Sequence, residues 1–295
     1  MMKKKKIYAL GFFDGVHLGH QALLHKACEL AREQGAAVCA VTFDRHPQSL
    51  FVDTPPKLIN ETPDRVELLK RFGAEDVLVL SVTEQTMAQP WDAFLTDMVE
   101  QGATGFVCGS DFRFGCKGAG NAEKLSAFCA EKGLAYGIVE QQMLEGIRIS
   151  STHIRQLLES GQVEKANAFL GHPHRLTEKV VTGRKLGRTI GIPTANLQIP
   201  EGIIIPQFGV YACKAEVEGE EYLAVTNVGT RPTVGGHRVT VEPYLLDFSG
   251  DLYGKTLTLS FYAYLRPEKK FDSLEELKAE IEKNALQVGK IFEKS

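Results

Sequence analysis

Apolar residues fall along this chain in two rhythms. In the first part, short apolar runs at 7–10, 37–43, 77–81, 106–109 and 136–139 alternate with stretches of helical spacing near 62–72, 90–101 and 121–132. After the first run, Ala22, Leu23, Ala27, Leu30 and Ala31 recur near helical spacing, predicting a helix that ends at Gln34 or Gly35. Strand–helix alternation implies crossover units and a parallel, Rossmann-like α/β sheet covered on both faces. One more short helix is predicted within 161–170, and Pro173 then forbids helical continuation. Beyond it the rhythm changes. Runs at 179–182, 210–217, 222–227, 239–246 and 256–264 are rich in β-branched and aromatic residues and are separated by glycine and proline turns. That pattern predicts antiparallel β structure, a sandwich or a small barrel, closed by one helix over 274–291. The chain therefore divides into residues 1–172 and 173–295.

Composition narrows the picture only a little. A chain of 295 residues suits two domains, and 43% hydrophobic with 24% charged residues is ordinary for a soluble globular protein. A net charge of -3 gives no basic face for a nucleic-acid partner. The basic run Lys3 to Lys6 precedes no signal-peptide core and reads as a solvated N-terminus, and no apolar run is long enough to span a bilayer. Six cysteines form no CxxC pair or metal-ligand spacing, so a reducing cytoplasm is the expected address.

Candidate chemistry gathers where strands end. Gly11-Phe12-Phe13-Asp14-Gly15-Val16-His17-Leu18-Gly19-His20 turns the first strand into the first helix. Such a loop offers free backbone N–H groups and the positive end of a helix dipole, which suits a phosphate. His17 and His20 share a face, and Gly19 between them permits close approach, so two imidazoles can hold a transferring phosphoryl group. Asp44-Arg45-His46-Pro47 follows the second strand. In Gly109-Ser110-Asp111-Phe112-Arg113-Phe114-Gly115, Asp111 with two aromatics can seat a planar ring, or the aromatics can plug the core edge. In Arg148-Ile149-Ser150-Ser151-Thr152-His153-Ile154-Arg155, hydroxyls at a helix start with two arginines form a polyphosphate clamp, or Ser151 or Thr152 simply caps the helix. His172 and His174 read as linker histidines. In the second part, Gly183, Gly187 and Gly191 with Arg184, Lys185 and Arg188 can approach an anion, and Pro193 leads into Thr194-Ala195-Asn196. Thr194 and Asn196 alternate along an extended chain, and neutral oxygens of this kind suit magnesium; the same residues also read as an ordinary strand start.

Taken together, FDGVHLGH, GSDFRFG, ISSTHIR, the segment Gly183 through Leu197, the Asn227 to Thr233 loop and Val241-Glu242 resemble the bacterial bifunctional riboflavin kinase/FMN adenylyltransferases, over nearly the whole chain. The resemblance implies an N-terminal nucleotidyltransferase domain and a C-terminal kinase barrel. It implies ATP, riboflavin, FMN and FAD as substrates and products, and magnesium as the metal. It assigns His17 and His20 to the pentavalent phosphorus, with Gly11, Phe13, Asp14, Gly15, Gly19, Arg148, Ser151, Thr152 and Arg155 around ATP. Asp111, Phe112 and Phe114 fall near nucleotide and flavin. In the kinase, Thr194 and Asn196 would hold magnesium and Glu242 would take the riboflavin hydroxyl proton. Gly183, Gly187, Arg188, Gly191, Pro193, Arg266 and Glu268 would line ATP and flavin. Three departures stand out: Phe12 where many members carry Asn, Glu178 where a glycine is expected, and Asn284 in place of Asp. A kinase with a catalytically weak first domain, or a flavin-binding regulator, would share these motifs.

Overall fold

The computed structural model describes residues 4–182, 191–233 and 236–293. They form two compact units, Met1–Ser151 and Thr152–Ser295.

In the first unit, β1 (Lys6–Leu10), β2 (Ala37–Phe43), β3 (Asp76–Leu80), β4 (Ala103–Gly109) and β5 (Ala135–Val139) form one sheet in the order β3-β2-β1-β4-β5. Every pairing is parallel. One face buries Ile7, Ala9, Val38 and Ala40 under α1 (Leu18–Gln34) and α2 (Thr62–Arg71). The other buries Tyr8, Cys39, Phe106 and Cys108 under α4 (Trp91–Glu100) and α5 (Ala122–Lys132), with short α3 (Glu84–Ala88) ahead of α4. Burial on both faces is why these strands read as continuous apolar runs rather than alternating ones. The strand order reverses at β1, so the switch point lies between β1 and β4. Ligands of such sheets sit there, beyond the strands' carboxyl ends. A two-stranded hairpin, β6 (Met143–Leu144) and β7 (Ile147–Arg148), leads to α6 (Ser151–Glu159).

In the second unit, α7 (Val163–Leu170) precedes β8 (His174–Lys179), β9 (Gly209–Val217), β10 (Glu220–Thr233), β11 (Gly236–Leu245) and β12 (Thr256–Arg266). The strands run antiparallel in the order β11-β10-β9-β12-β8. Leu197 bridges Val180, just past β8, and Val241 of β11, which joins the two edges of the sheet. The sandwich-or-barrel expectation resolves to a barrel-like sheet, closed by this single extended segment. The closing helix α8 (Leu274–Phe292) lays Ala285, Val288 and Ile291 on Val210, Ala212 and Val225.

The compact units divide at Ser151/Thr152, and α6 and α7 pack with the barrel. Asn167 donates to the Phe261 carbonyl (2.8 Å) and accepts from the His174 amide (2.7 Å), and the Gln207 amide reaches the Leu158 carbonyl (2.9 Å). His172 and His174 are not linker residues. Both are buried, because β8 starts at His174, paired with Phe261, and the chain re-enters the core immediately after Pro173. Glu178 lies in regular β8 pairing opposite Leu257, so no glycine conformation is required there.

Candidate active sites

The loop after β1 is compressed and nearly enclosed. Phe13, Asp14, Val16 and His17 are buried, and Phe13 (φ 60), Gly15 (φ 82) and Val16 (φ 41) have left-handed backbone. For a β-branched residue that conformation is strained, and strain of this kind persists only where its surroundings hold it. Asp14 supplies one such hold. Its Oδ1 accepts from the Ile59 amide (2.8 Å) and the Asn60 amide (3.4 Å), so the carboxylate ties the loop to the chain entering α2. Ser151 supplies another: its hydroxyl donates to the Asp14 carbonyl (2.9 Å). Ser151 and Thr152 are the first residues of α6 rather than its cap, and the Ser151 hydroxyl is engaged with the loop after β1.

His17 caps α1, its Nδ1 accepting from the His20 amide at 3.3 Å. That bond leaves the proton of the neutral ring on Nε2. The two imidazoles are stacked, centroids 3.6 Å apart and planes 12° from parallel. A methyl on Gly19 would stand 3.2 Å from the His17 ring, so this glycine makes room for the imidazole. His20 meets the edge of Phe13, and its Nδ1 is buried without a hydrogen-bond partner among the described residues. Burial first, then the charges of His17 and Arg65, hold the His20 imidazole well below the usual histidine range, which keeps it neutral.

The start of the same loop opens onto a cavity of about 350 Å³, lined in part by Leu10, Gly11, Phe12, His46, Phe112 and Phe114. It is mostly apolar with a few polar groups at its wall, the usual form of a site for a flat organic ligand. Phe112 and Phe114 stack with centroids 5.9 Å apart; Phe114 is buried, and both rings line the cavity. Gly115 (φ 71) has no alternative residue, since a Cβ there would meet the Trp91 backbone at 2.6 Å. Asp111 pairs with Arg148, joining the loop after β4 to the hairpin before α6. Thr152 is exposed and Arg155 half-buried on α6, within the second unit.

In the barrel, the closing segment sets the second constellation. The Ala195 amide donates to the Pro243 carbonyl and the Leu197 amide to the Val241 carbonyl, both at 2.9 Å. Leu197 opposite Val241 in antiparallel register sets Asn196 opposite Glu242. Ala195, Leu197 and Val241 are buried while Thr194, Asn196 and Glu242 are half-buried, so the three oxygen-bearing side chains share the outer face. Asn227 on β10 pairs with Glu242 across the next ladder and donates to Glu268 (3.3 Å). The Glu268 carboxylate lies over Gly229 and leaves no space for a Cβ there. Sequence reading left Asn227 out of the site; the signal available was its strand register two residues before Gly229. Arg266 reaches Asn284 (3.1 Å) and Glu280 (3.4 Å), so it anchors the end of β12 to α8. Asn284 serves as a neutral acceptor in that contact. Gly191 (φ 76) and Pro193 lead into the closing segment, whereas Gly183, Gly187 and Arg188 lie outside the described residues. A magnesium ion takes hard oxygen donors, and Thr194, Asn196 and Glu242 supply that chemistry on one face.

Comparison with known proteins agrees on both halves. The family model described as FAD synthetase matches residues 1–153 and that described as Riboflavin kinase matches residues 170–292. A bifunctional riboflavin kinase/FMN adenylyltransferase of Listeria monocytogenes is 36% identical over 293 residues, covering 98% of this chain and 93% of that protein. Enzymes of the same description from Bacillus subtilis and Escherichia coli are each 36% identical, covering 98% and 97% of this chain and 93% and 92% of their own lengths. A crystal structure described as a macrolide-efflux protein from Streptococcus pneumoniae has a TM-score of 0.85 at 31% identity, covering 96% of this chain and 92% of that one. Efflux is said of that protein; among the described residues here, no helix is long and apolar enough to cross a membrane. The chain belongs to the family of bifunctional riboflavin kinases/FMN adenylyltransferases, and it carries both steps of FAD synthesis: ATP-dependent phosphorylation of riboflavin to FMN, then adenylylation of FMN to FAD with release of pyrophosphate.

Proposed function

We propose that the two steps are divided between the two constellations described above. In the first unit, the flavin ring occupies the apolar cavity between Phe12 and Phe112, and the FMN phosphate meets the α-phosphorus of ATP at the stacked histidines. The observation that carries this assignment is that one loop, after β1 at the sheet's switch point, supplies both the stacked His17–His20 pair and the cavity-lining Gly11 and Phe12. Neutral imidazoles donate hydrogen bonds to the phosphoryl oxygens as charge gathers there, and no covalent intermediate is needed. The compressed backbone of Gly11 to Gly15 shapes the phosphate loop, with Asp14 as its internal brace rather than a ligand. Arg148, Thr152 and Arg155 are assigned to the polyphosphate, and Ser151 to fixing the loop against the start of α6.

In the barrel, Thr194 and Asn196 hold magnesium, and Glu242 orients and deprotonates the riboflavin 5′-hydroxyl. The ion, when bound, neutralises and aligns the ATP phosphates. Asn227 and Glu268 flank the carboxylate, and Arg266 fixes the loop that covers the flavin. Gly183, Gly187 and Arg188 are assigned to ATP by resemblance alone. The protein works in the cytoplasm on small molecules, without nucleic acid or membrane. All six cysteines are free, and burial raises the Cys39 thiol to about 11 and those of Cys108 and Cys129 to about 12, which fits a reducing compartment.

The test is a chromatographic assay of riboflavin, FMN and FAD with ATP and magnesium. His20→Ala is expected to let FMN accumulate while FAD formation falls about a hundredfold to a thousandfold, the cost of one donor used by the transition state. A His20→Ala protein that makes FAD at the parent rate would sink the assignment.

A further inference from the structure

The adenylyl site rests on a buried group that the mechanism above does not use. Arg65, on α2, is completely buried. Its Nη2 donates to the Phe43 carbonyl at the end of β2 (2.6 Å) and to Thr62 (3.0 Å). Its Nε and Nη1 have no hydrogen-bond partner among the described residues. The same holds for both side-chain polar atoms of Asn60, five residues earlier and also buried. A cation stripped of water and left with two unmade hydrogen bonds is costly, and sequences retain such groups where the charge has a use. The guanidinium lies over the Phe12 ring, 4.7 Å from its centroid, and Phe12 lines the cavity with His46 set edge-on against it. Arg65 thus backs the cavity wall at Phe12.

We propose that Arg65 is a positioning residue for adenylyl transfer, an enclosed cation that braces Phe12 as a wall of the flavin cavity. The inference rests on the assignment of adenylyl transfer to that pair. Its two effects are separable. The flat guanidinium face holds Phe12 in place, which governs flavin affinity. The positive charge disfavours protonation of His20, together with burial and His17. The groups that face His20 are His17 and Phe13 from its own loop and Arg65 from α2; those that face Arg65 are Asp14 from the loop and Asp44 after β2. Burial, the first cause, and His17 remain when the cation is removed, so His20 rises only part of the way and takes its proton at a higher pH that is still below the ordinary histidine range.

The experiment uses the full chain with supplied FMN, ATP and magnesium, reading FAD formation against pH, with riboflavin phosphorylation in the same preparation as the folding control. Arg65→Met is expected to lower kcat/KM for FMN about a hundredfold, the usual cost of misplacing a reacting group by an ångström. It is also expected to move the acid limb of kcat to higher pH. Arg65→Lys keeps the charge and loses the flat face, so its acid limb stays with the parent while KM for FMN rises. Arg65→Met with parental rate and limb overturns the proposal. So does a slower Arg65→Met whose limb is unmoved, because that is a scaffold effect. If Arg65→Met does not fold, Arg65→Lys decides: raised KM with a parental limb supports the proposal, and parental KM overturns it. His20→Ala run alongside separates the two levels, since full activity there removes the site assignment itself, whereas inactive His20→Ala with parental Arg65→Met removes only the role of Arg65.

Discussion

Asp14 sits in the signature loop and would be taken for a ligand, yet its carboxylate is turned into the protein. It is 1% exposed and accepts two backbone amides, one at 2.8 Å and one at 3.4 Å, while its charge faces Arg65. Asp14→Ala removes both acceptor and charge. Stranding the closer amide costs about 1–3 kcal/mol, and the longer bond adds less. Leaving the buried guanidinium without its nearest carboxylate adds about 3–5 kcal/mol when no water can reach it. Part of this relaxes, because one loop carries both penalties, so about 4 kcal/mol is expected. For a unit of this size each kcal/mol lowers the midpoint by roughly 2–4 °C, hence a fall of about 8–16 °C in the transition of the first unit. Asp14→Asn keeps an oxygen for the amides and loses only the charge, so about half that fall is expected. Calorimetry that resolves the two units, with riboflavin phosphorylation marking the second, measures both. A first-unit midpoint within about 2 °C of the parent in Asp14→Ala would refute the bracing role. Equal falls in the two variants would refute the division between hydrogen bonds and charge.

Three further outcomes are expected. Glu242→Gln keeps its shape but accepts no proton, so kcat for riboflavin phosphorylation should fall about a hundredfold with flavin affinity kept, while Asn196→Asp should change the magnesium dependence instead; steady-state kinetics with supplied FMN as the control tells them apart. A fragment beginning at residue 152 should phosphorylate riboflavin, whereas one beginning at 173 loses the Asn167 bridge between Phe261 and the His174 amide and should be less stable by about 1–3 kcal/mol, read by urea titration. The buried His174 imidazole, with neither ring nitrogen partnered among the described residues, is lowered to about 3 by burial and then by the charge of His172. The unfolded chain therefore binds the extra proton between pH 6.5 and about 3, and the barrel unit should lose stability progressively as pH falls through that window, by at most roughly 5 kcal/mol. His174→Phe should flatten that loss, and an unchanged pH slope would show that the ring is solvated.

What the sequence made legible and what it hid follow from the same physics. Strands buried on both faces gave runs whose ends could be read closely: the expected 37–43 is β2 itself. The helix after the histidine motif ends at Gln34 because Gly35 takes the left-handed backbone that closes it (φ 58). Local chemistry of this kind is written in adjacent residues. Long-range use of a residue is not. Ser151 resembles a cap, but its hydroxyl finds the Asp14 carbonyl, which lies 137 positions earlier. Pro173 stops a helix as expected, but that α7 packs with the barrel that follows it rests on contacts such as that of Asn167 with Phe261, which no local pattern announces. Asn196 and Glu242 carry the same lesson further. Alternation within each segment says which side chains share a face, but only the Leu197–Val241 pairing brings the two faces together, and a slip of one residue would set Glu242 opposite Ala195 or Leu197 and turn one of the two oxygens inward. The proposed kinase site is therefore specified less by its polar residues than by the buried Ala195, Leu197 and Val241 around them, whose packing fixes the register. Arg65 is the extreme case. It lies in a helix that reads as ordinary, outside every motif, and only its complete burial against Phe12 reveals an enclosed charge behind the proposed adenylyl site.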